Sequence, residues 1–209
     1  MRLIMMALTA ATLAMGADNE FLSTWKAPGA GPIDFTGRKV AAVLIADDTT
    51  VRVAAEEALS REVAARGATG IAAYRVIPKE LLADKDGAKA WFEKMKIEGL
   101  VILRVVQTDK QKVYSSAMWV SGYYGYAWDY WGYGWANVYP MGKAREQRIL
   151  TVETLLYDLS KGTPVWAAVT RTTDPKDVQS YVKQLAADIV KRLEKDGVVV
   201  KRPSRGLME

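Results

Sequence analysis

The fold is decided by residues 39–67, which read KVAAVLIADDTTVRVAAEEALSREVAARG. The first part, residues 39–46, is a continuous apolar run rich in β-forming residues, which predicts a strand buried on both faces. The acids and threonines at positions 47–50 are residues that begin helices. The pattern after them predicts a helix that runs to Arg66 and ends at Gly67. This stretch therefore predicts the first strand and helix of a β-α-β unit.

The residues that follow extend the same alternation to three strands. A second strand is predicted near residues 69–76, a helix over residues 86–96, and a third strand over residues 100–106. Strands that alternate with helices pair in parallel through right-handed crossovers. The sequence therefore predicts that these three strands lie side by side in a parallel arrangement.

The pattern changes after the third strand. Strands are predicted at residues 112–118, 147–157 and 164–172 with no helix between the last two, which a short turn connects. Strands joined in this way form an antiparallel meander. The predicted fold class is therefore α/β, with a mixed β-sheet that begins as β-α-β-α-β, continues as a meander and is flanked by helices.

A C-terminal helix is predicted from an apolar stripe after Asp174. That aspartate is predicted to cap the helix, with Pro175 in the first helical position and Gly197 at the end. No repeat and no Pro/Ser-rich linker divides the chain, which predicts one domain over residues 17–197. A tail is predicted over residues 198–209.

The composition excludes several classes of chemistry. The 209 residues include neither histidine nor cysteine, which rules out Ser-His-Asp triads, cysteine nucleophiles, disulfides and His/Cys metal sites. The 29 Lys and Arg exceed the 24 Asp and Glu by only five, and the two signs are interspersed. Nucleic-acid binding is therefore not predicted. We predict no catalytic residues, no metal site and no cofactor.

The N-terminus has the layout of a secretory signal peptide. Arg2 is followed by an uncharged, largely apolar run over residues 3–15, and small residues stand at Ala14 and Gly16. The run is shorter than the roughly 20 residues that a transmembrane helix needs. A signal peptide is therefore predicted over residues 1–16, and the mature protein is expected in the periplasm or associated with the cell envelope.

The stretch from Tyr114 to Tyr139 holds eleven of the twenty aromatic residues, with four glycines among them. It shows neither helical nor strand periodicity, and a glycine-rich aromatic loop is predicted over residues 119–142. One interpretation is that the rings fold over an exposed sheet face. The other is a contact surface, because Tyr and Trp combine apolar area with a polar group.

We expect the contact surface to lie in the middle of this loop. Trp119 follows the preceding strand and is predicted to be core, whereas Trp128, Trp131 and Trp135 are predicted to be mostly exposed. The predicted partner is an envelope protein or a glycan, or else the membrane interface, and no oligomeric state is predicted. The predicted partner-binding residues are Tyr123, Tyr124, Tyr126, Trp128, Tyr130, Trp131, Tyr133 and Trp135.

Carboxylates provide the alternative functions. Residues 40–67 look like the opening of a two-component receiver domain, but Arg104 stands where such a domain needs its phosphoacceptor aspartate. Asp47 and Asp48 follow a strand and could hold Mg²⁺, but no third ligand is evident, and helix capping is the stronger explanation. The enzymatic alternative is a hydrolase of envelope glycans that uses Glu153 with Asp47 or Asp48. That chemistry requires two carboxylates about 5 to 10 Å apart.

Several short motifs occur in the order of a known family. They are Thr24–Pro28, the Gly/Tyr/Trp loop, Glu153–Tyr157, Trp166 and Thr170–Pro175. In this order they resemble the bacterial envelope proteins of domain-of-unknown-function 4136, many of which are lipoproteins. The resemblance implies no catalytic residues, and this chain has Ala17 where a lipoprotein has its lipidation cysteine. Together these features predict an exported envelope protein that acts as a non-catalytic binding or assembly module.

Overall fold

The computed structural model describes residues 19–106, 114–140, 149–173, 175 and 177–200. The predicted signal peptide at residues 1–16 lies outside this part. The strands are β1 (Asn19–Lys26), β2 (Lys39–Ile45), β3 (Thr69–Ala72), β4 (Gly99–Val106), β5 (Ile149–Asp158) and β6 (Thr163–Thr173). The α-helices of the described part are α1 (Thr49–Ala64), α2 (Lys85–Lys94), α3 (Ala127–Ala136) and α4 (Val178–Lys195).

The six strands form one mixed sheet in the order β1-β6-β5-β4-β2-β3. Strand β2 pairs in parallel with both β3 and β4, while β4, β5, β6 and β1 pair antiparallel in succession. This arrangement confirms the predicted fold class, including the change from parallel strands to a meander. Strand β1 was not predicted; it forms one edge of the sheet, where Asn19 lies opposite Thr172.

Both faces of the sheet are covered, which explains why its central strands are predominantly apolar. On the first face, Leu44 and Leu103 pack in one core with α1 and α4. On the second face, Val43 and Ile102 pack in another core with α2, α3 and the residues just before α3. All eight residues of β4 are buried. Strands buried on both faces have this composition in α/β proteins.

The helix termini partly agree with the prediction. Asp48 caps α1 by accepting hydrogen bonds from the backbone N–H groups of Thr50 and Val51, as its capping role predicts. The predicted start of the last helix is wrong, because Asp177 is its N-cap and Pro175 precedes the helix. Asp174 lies outside the described residues. No helix of the described part is long and apolar enough to cross a membrane.

Strand β3 is shorter than the strand predicted over residues 69–76. It ends at Ala72, and Ala73–Arg75 form a 3-10 turn. The backbone N–H of Tyr74 donates to the carboxylate of Glu56 in α1 instead of to a neighbouring strand. A buried helix carboxylate therefore ends the strand.

The strand predicted over residues 112–118 is not observed where the structure describes it. Residues 112–113 lie outside the described part, residues 114–117 are not in a strand, and Met118–Val120 form a 3-10 turn. Strand β4 already has β2 on one side and β5 on the other. No place beside β4 remains for the next segment of the chain.

The folded part continues beyond the predicted start of the tail at residue 198. Val198 is fully buried, and Val199 forms an isolated parallel bridge with Ile33. The backbone N–H of Ile33 donates to the carbonyl oxygen of Val198 at 2.8 Å. These contacts attach the residues after α4 to the domain. The described part of the chain ends here at residue 200.

Glu56 is a buried carboxylate that connects α1 to the sheet. Its oxygens accept hydrogen bonds from the backbone N–H of Leu44 at 3.1 Å and of Tyr74 at 2.6 Å. Burial raises the pKa of Glu56 to about 7, although both backbone hydrogen bonds act to lower it. The group therefore binds its proton more tightly in the folded protein than in the unfolded chain.

This difference predicts that the free energy of unfolding decreases as the pH rises. Between about pH 4.5 and 7 the folded state retains a proton that the unfolded state loses, so the free energy of unfolding falls by about 3 kcal/mol across this interval. Urea unfolding at several pH values will measure the slope. We expect a flatter profile for Glu56→Gln, because an amide does not titrate, and an unchanged slope for Glu93→Gln on the exposed side of α2. Parallel profiles for wild type and Glu56→Gln would contradict the prediction.

Candidate functional site

Residues 114–139 are here called the aromatic segment. As far as Val138 its apolar side chains pack against the second face of the sheet, whereas Tyr139 packs against the core of the first face. The chain forms 3-10 turns at Met118–Val120 and Gly122–Tyr124 and then enters α3. The prediction of a loop over residues 119–142 is therefore wrong for its middle, which is helical. Residues 141–142 lie outside the described part.

The helical part has the spacing of a core-facing helix. Its buried residues are Ala127, Tyr130, Trp131 and Gly134, which follow the i, i+3, i+4, i+7 pattern. Aromatic residues on the other side of α3 hide this periodicity in the sequence. Gly134 permits the close approach of α3 to the sheet, because a Cβ at this position would overlap Cδ1 of Ile45 in β2.

The tryptophans divide differently from the prediction. Trp119 is buried, which confirms its predicted place in the core. Trp131 was predicted to be exposed, and this is wrong: its ring is fully buried and meets Phe92 edge-on, with 5.5 Å between the centroids. Its indole N–H donates to the carbonyl oxygen of Leu82 at 3.0 Å. The side chain thus joins α3 to the chain before α2.

Other predicted contact residues reach the surface to different extents. Tyr126 is 59% exposed, and Val120 is 58% exposed. Gly125, which precedes Tyr126, lies close to the backbone of Val120, since a Cβ on it would lie 3.0 Å from the carbonyl oxygen of Val120. The half-buried members of the predicted set are Tyr123, Trp128, Tyr133 and Trp135, so Trp128 and Trp135 are less exposed than predicted. Val120 and Tyr126 are therefore the large apolar residues of the segment that are most exposed.

A buried ion pair lies beneath the aromatic segment. Arg104 of β4 and Glu153 of β5 are directly opposite in the antiparallel register, and their side chains meet with 2.8 Å between Nη2 and Oε2. Glu153 is 0% exposed and Arg104 4% exposed. The guanidinium also lies over the ring of Tyr133, 4.9 Å from its centroid. This pairing was not predicted, although the single charge in the interior of each of these two largely apolar strands could have indicated it.

Three tyrosine hydroxyls donate hydrogen bonds to the carboxylate of Glu153. Its Oε1 accepts from Tyr124 at 2.8 Å and from Tyr114 at 3.4 Å, while Oε2 accepts from Tyr130 at 3.1 Å. Burial, followed by the charge of Glu153, raises the pKa of Tyr124 and of Tyr130 far above the ordinary value. Both hydroxyls therefore stay protonated and donate. Tyr124 and Tyr130 were predicted to bind a partner, but both are buried and take part in this network instead.

The guanidinium keeps its charge in this environment. Burial acts to lower the pKa of Arg104, but Tyr130 and Glu153 outweigh it and hold that pKa above its ordinary value. Among the described residues, Arg104, Glu153, Tyr114, Tyr124 and Tyr130 thus form one hydrogen-bonded network, here called the buried network. It joins the aromatic segment to the sheet, and its carboxylate is fully buried.

Two of the three carboxylates of the hydrolase alternative, Glu153 and Asp48, have structural roles. Glu153 belongs to the buried network on the second face, whereas Asp48 caps α1, the helix that covers the first face. The two do not face one cleft, so a catalytic pair of Glu153 with Asp48 is not formed. Among the described residues, no group of three or more Asp or Glu side chains is arranged to hold a metal ion.

Comparisons with known proteins give a distant likeness. No family model and no curated protein matches the chain. Two solved structures of PelC dodecamers from Paraburkholderia phytofirmans match 84% of this chain. A PelC variant is 16% identical, is covered over 98% of its length and has a TM-score of 0.41. The other PelC structure is 13% identical, is covered over 97% and has a TM-score of 0.46. With scores this low, the likeness does not extend to function.

Proposed function

We propose that this chain is an exported protein of the bacterial envelope that acts as a non-catalytic binding or assembly module. One observation carries the proposal: the buried network and Trp131 hold the aromatic segment in place, while Val120 and Tyr126 remain more than half exposed. Exposed apolar and tyrosine side chains on a segment that packs on the sheet suit a contact surface, because a segment already held in place loses less conformational entropy on binding. The N-terminal pattern supports the envelope location, which N-terminal sequencing of the mature protein will test.

The test removes the exposed pair and leaves the support intact. We expect Val120→Ser/Tyr126→Ser to change the free energy of unfolding by less than about 1 kcal/mol, because surface substitutions usually have small effects. We also expect its retention of envelope material to fall about tenfold or more, as for residues at the centre of an interface. Leu22→Ser is the matched control, since it removes another exposed apolar side chain, from edge strand β1.

Three binding assays will distinguish the classes of partner. Liposome flotation measures membrane contact, sedimentation with purified envelope glycans measures sugar contact, and affinity capture from envelope extract measures protein contact. The proposal is supported if the double variant loses retention in one of these assays and Leu22→Ser does not. The assay in which retention is lost identifies the class of partner. If the folded double variant retains all envelope material as the wild type does, the proposed contact surface is wrong.

A further inference from the structure

Arg52, in the first turn of α1, is a buried arginine with little to neutralise it. The residue is only 8% exposed, and its Nε is buried without a hydrogen-bond partner. Its one ion pair within the described part of the chain is a long contact, with 3.9 Å between Nε and Oε1 of Glu56. Buried charges are normally paired at hydrogen-bond distance, because an unpaired charge in the interior is costly.

Glu56 is a poor counter-ion for this arginine. Both of its oxygens already accept backbone hydrogen bonds, from Leu44 and from Tyr74. Burial raises the pKa of Glu56 to about 7, so near neutral pH the carboxyl group is charged only part of the time. The positive charge of Arg52 therefore lacks a close and permanent negative partner among the described residues.

A second buried donor without a partner lies beside Arg52. The indole Nε1 of Trp135, in the last turn of α3, is buried and has no hydrogen-bond partner. The guanidinium carbon of Arg52 is 5.8 Å from the centroid of the Trp135 ring. Two neighbouring donors without acceptors indicate a missing acceptor, since most buried polar groups in proteins are satisfied.

The position of the two donors in the fold agrees with a ligand site. Strands β2 and β4 are parallel neighbours, and the helices that follow them, α1 and α3, cover opposite faces of the sheet. Ligands of α/β proteins bind outside the carboxyl ends of strands at such a point. Arg52 comes from α1 and Trp135 from α3, and the preceding Gly134 lies against Ile45, the last residue of β2. The two side chains thus lie near the carboxyl end of β2.

We propose that Arg52 and Trp135 bind the oxyanion group, a carboxylate or a phosphate, of a small molecule. A guanidinium binds such groups through charge-assisted hydrogen bonds, and the N-terminus of α1 adds favourable potential. A water molecule would satisfy the donors but would leave the charge of Arg52 uncompensated. This inference does not depend on the contact surface at Val120 and Tyr126.

The experiment uses inorganic phosphate and glucuronate as probes. Glucose serves as the uncharged-sugar control, and sodium chloride at matched ionic strength serves as the salt control. Thermal unfolding and calorimetric titration of the full chain will measure binding. We expect a melting temperature that rises with one or both anions but not with the controls, and the stronger anion distinguishes a phosphate ligand from a carboxylate ligand.

Three variants assign the binding to the two donors. We expect Arg52→Met to weaken binding about tenfold or more, and Trp135→Phe, which keeps the ring but removes the N–H, to weaken it by a smaller factor. Arg61→Met removes the same charge from an exposed position of α1 and should leave binding unchanged. Without ligand, Arg52→Met should melt no lower than wild type, because it removes a poorly paired buried charge.

Several results would overturn the proposal. The first is that the melting temperature of the wild type does not change with either anion up to about 10 mM. The second is that Arg52→Met and Arg61→Met weaken anion binding equally. The third is a crystal structure, grown with the anions, that shows only water at the two donors. If Arg52→Met fails to fold, the Trp135→Phe variant tests the proposal instead. Unchanged anion binding by Trp135→Phe would contradict the role of the indole N–H. The contact-surface variant Val120→Ser/Tyr126→Ser should bind both anions normally, so the two proposals can fail separately.

Discussion

Glu153→Leu is expected to destabilise the protein by about 4 kcal/mol, since removal of one member of a buried ion pair typically costs 3 to 5 kcal/mol. The substitution leaves the charge of Arg104 buried beneath the aromatic segment without its counter-ion. It also removes the acceptor of the Tyr124 and Tyr130 hydroxyls. Urea unfolding followed by far-ultraviolet circular dichroism will measure the loss.

Two controls separate the ion pair from a general effect of substitution. Glu93→Leu removes an exposed carboxylate of α2 and should change the free energy of unfolding by less than about 0.5 kcal/mol. The double variant Arg104→Met/Glu153→Leu should be more stable than Glu153→Leu, because apolar replacement of both partners removes the unpaired charge. A Glu153→Leu protein as stable as wild type would show that the buried network does not hold the segment.

Trp131→Ala is expected to destabilise the protein by about 3 to 5 kcal/mol, the usual range for truncation of a buried tryptophan. The ring is fully enclosed, and the indole N–H bonds the carbonyl oxygen of Leu82, which would lose its partner. Tyr126→Ala, in the same segment but 59% exposed, should cost less than about 0.5 kcal/mol. Chemical unfolding of both variants under one set of conditions provides the comparison.

The different burial of Trp131 and Tyr126 determines which substitutions can test partner binding by the aromatic segment. A combined alanine substitution of Trp128, Trp131 and Trp135 would destabilise the protein through Trp131, so a loss of partner binding by that variant would not identify contact residues. Equal and small losses for Trp131→Ala and Tyr126→Ala would contradict the burial described here. Trp131→Phe, which retains a ring, should recover part of the lost stability if packing is the cause.

The central strands could be predicted from the sequence because their environment leaves a strong pattern. Strands β2 and β4 are buried on both faces, so they are predominantly apolar runs, with Arg104 as the charge inside β4. The meander of β5 and β6 is also evident, since a short turn joins two β-rich stretches. Strand β1 escaped prediction because it is an edge strand with a mixed pattern of exposure, including exposed Glu20 and Leu22. Its pairing depends on a partner far away in the chain.

The helix α3 could not be predicted from propensity. It contains Gly132 and Gly134 among tryptophans and tyrosines, and none of these residue types is a strong helix former. Tertiary packing overrides the propensity, because a helix places Tyr130 and Trp131 in the core and allows Gly134 to approach β2. The same limitation concealed the site residues: burial of Tyr124, Tyr130 and Trp131 is a property of the packing and not of the local sequence.

The pairing of β1 with β6 has a consequence for the order of folding. Asn19 and Thr172, which lie opposite each other and share a side-chain hydrogen bond, are 153 positions apart in the chain. Strand β6 must be available before β1 can find its place, and closure of so long a loop slows folding. Until then the β6 edge stays open, and neighbouring chains that fold at the same time can exchange their β1 strands. Dilution during refolding should therefore favour monomers over strand-swapped dimers.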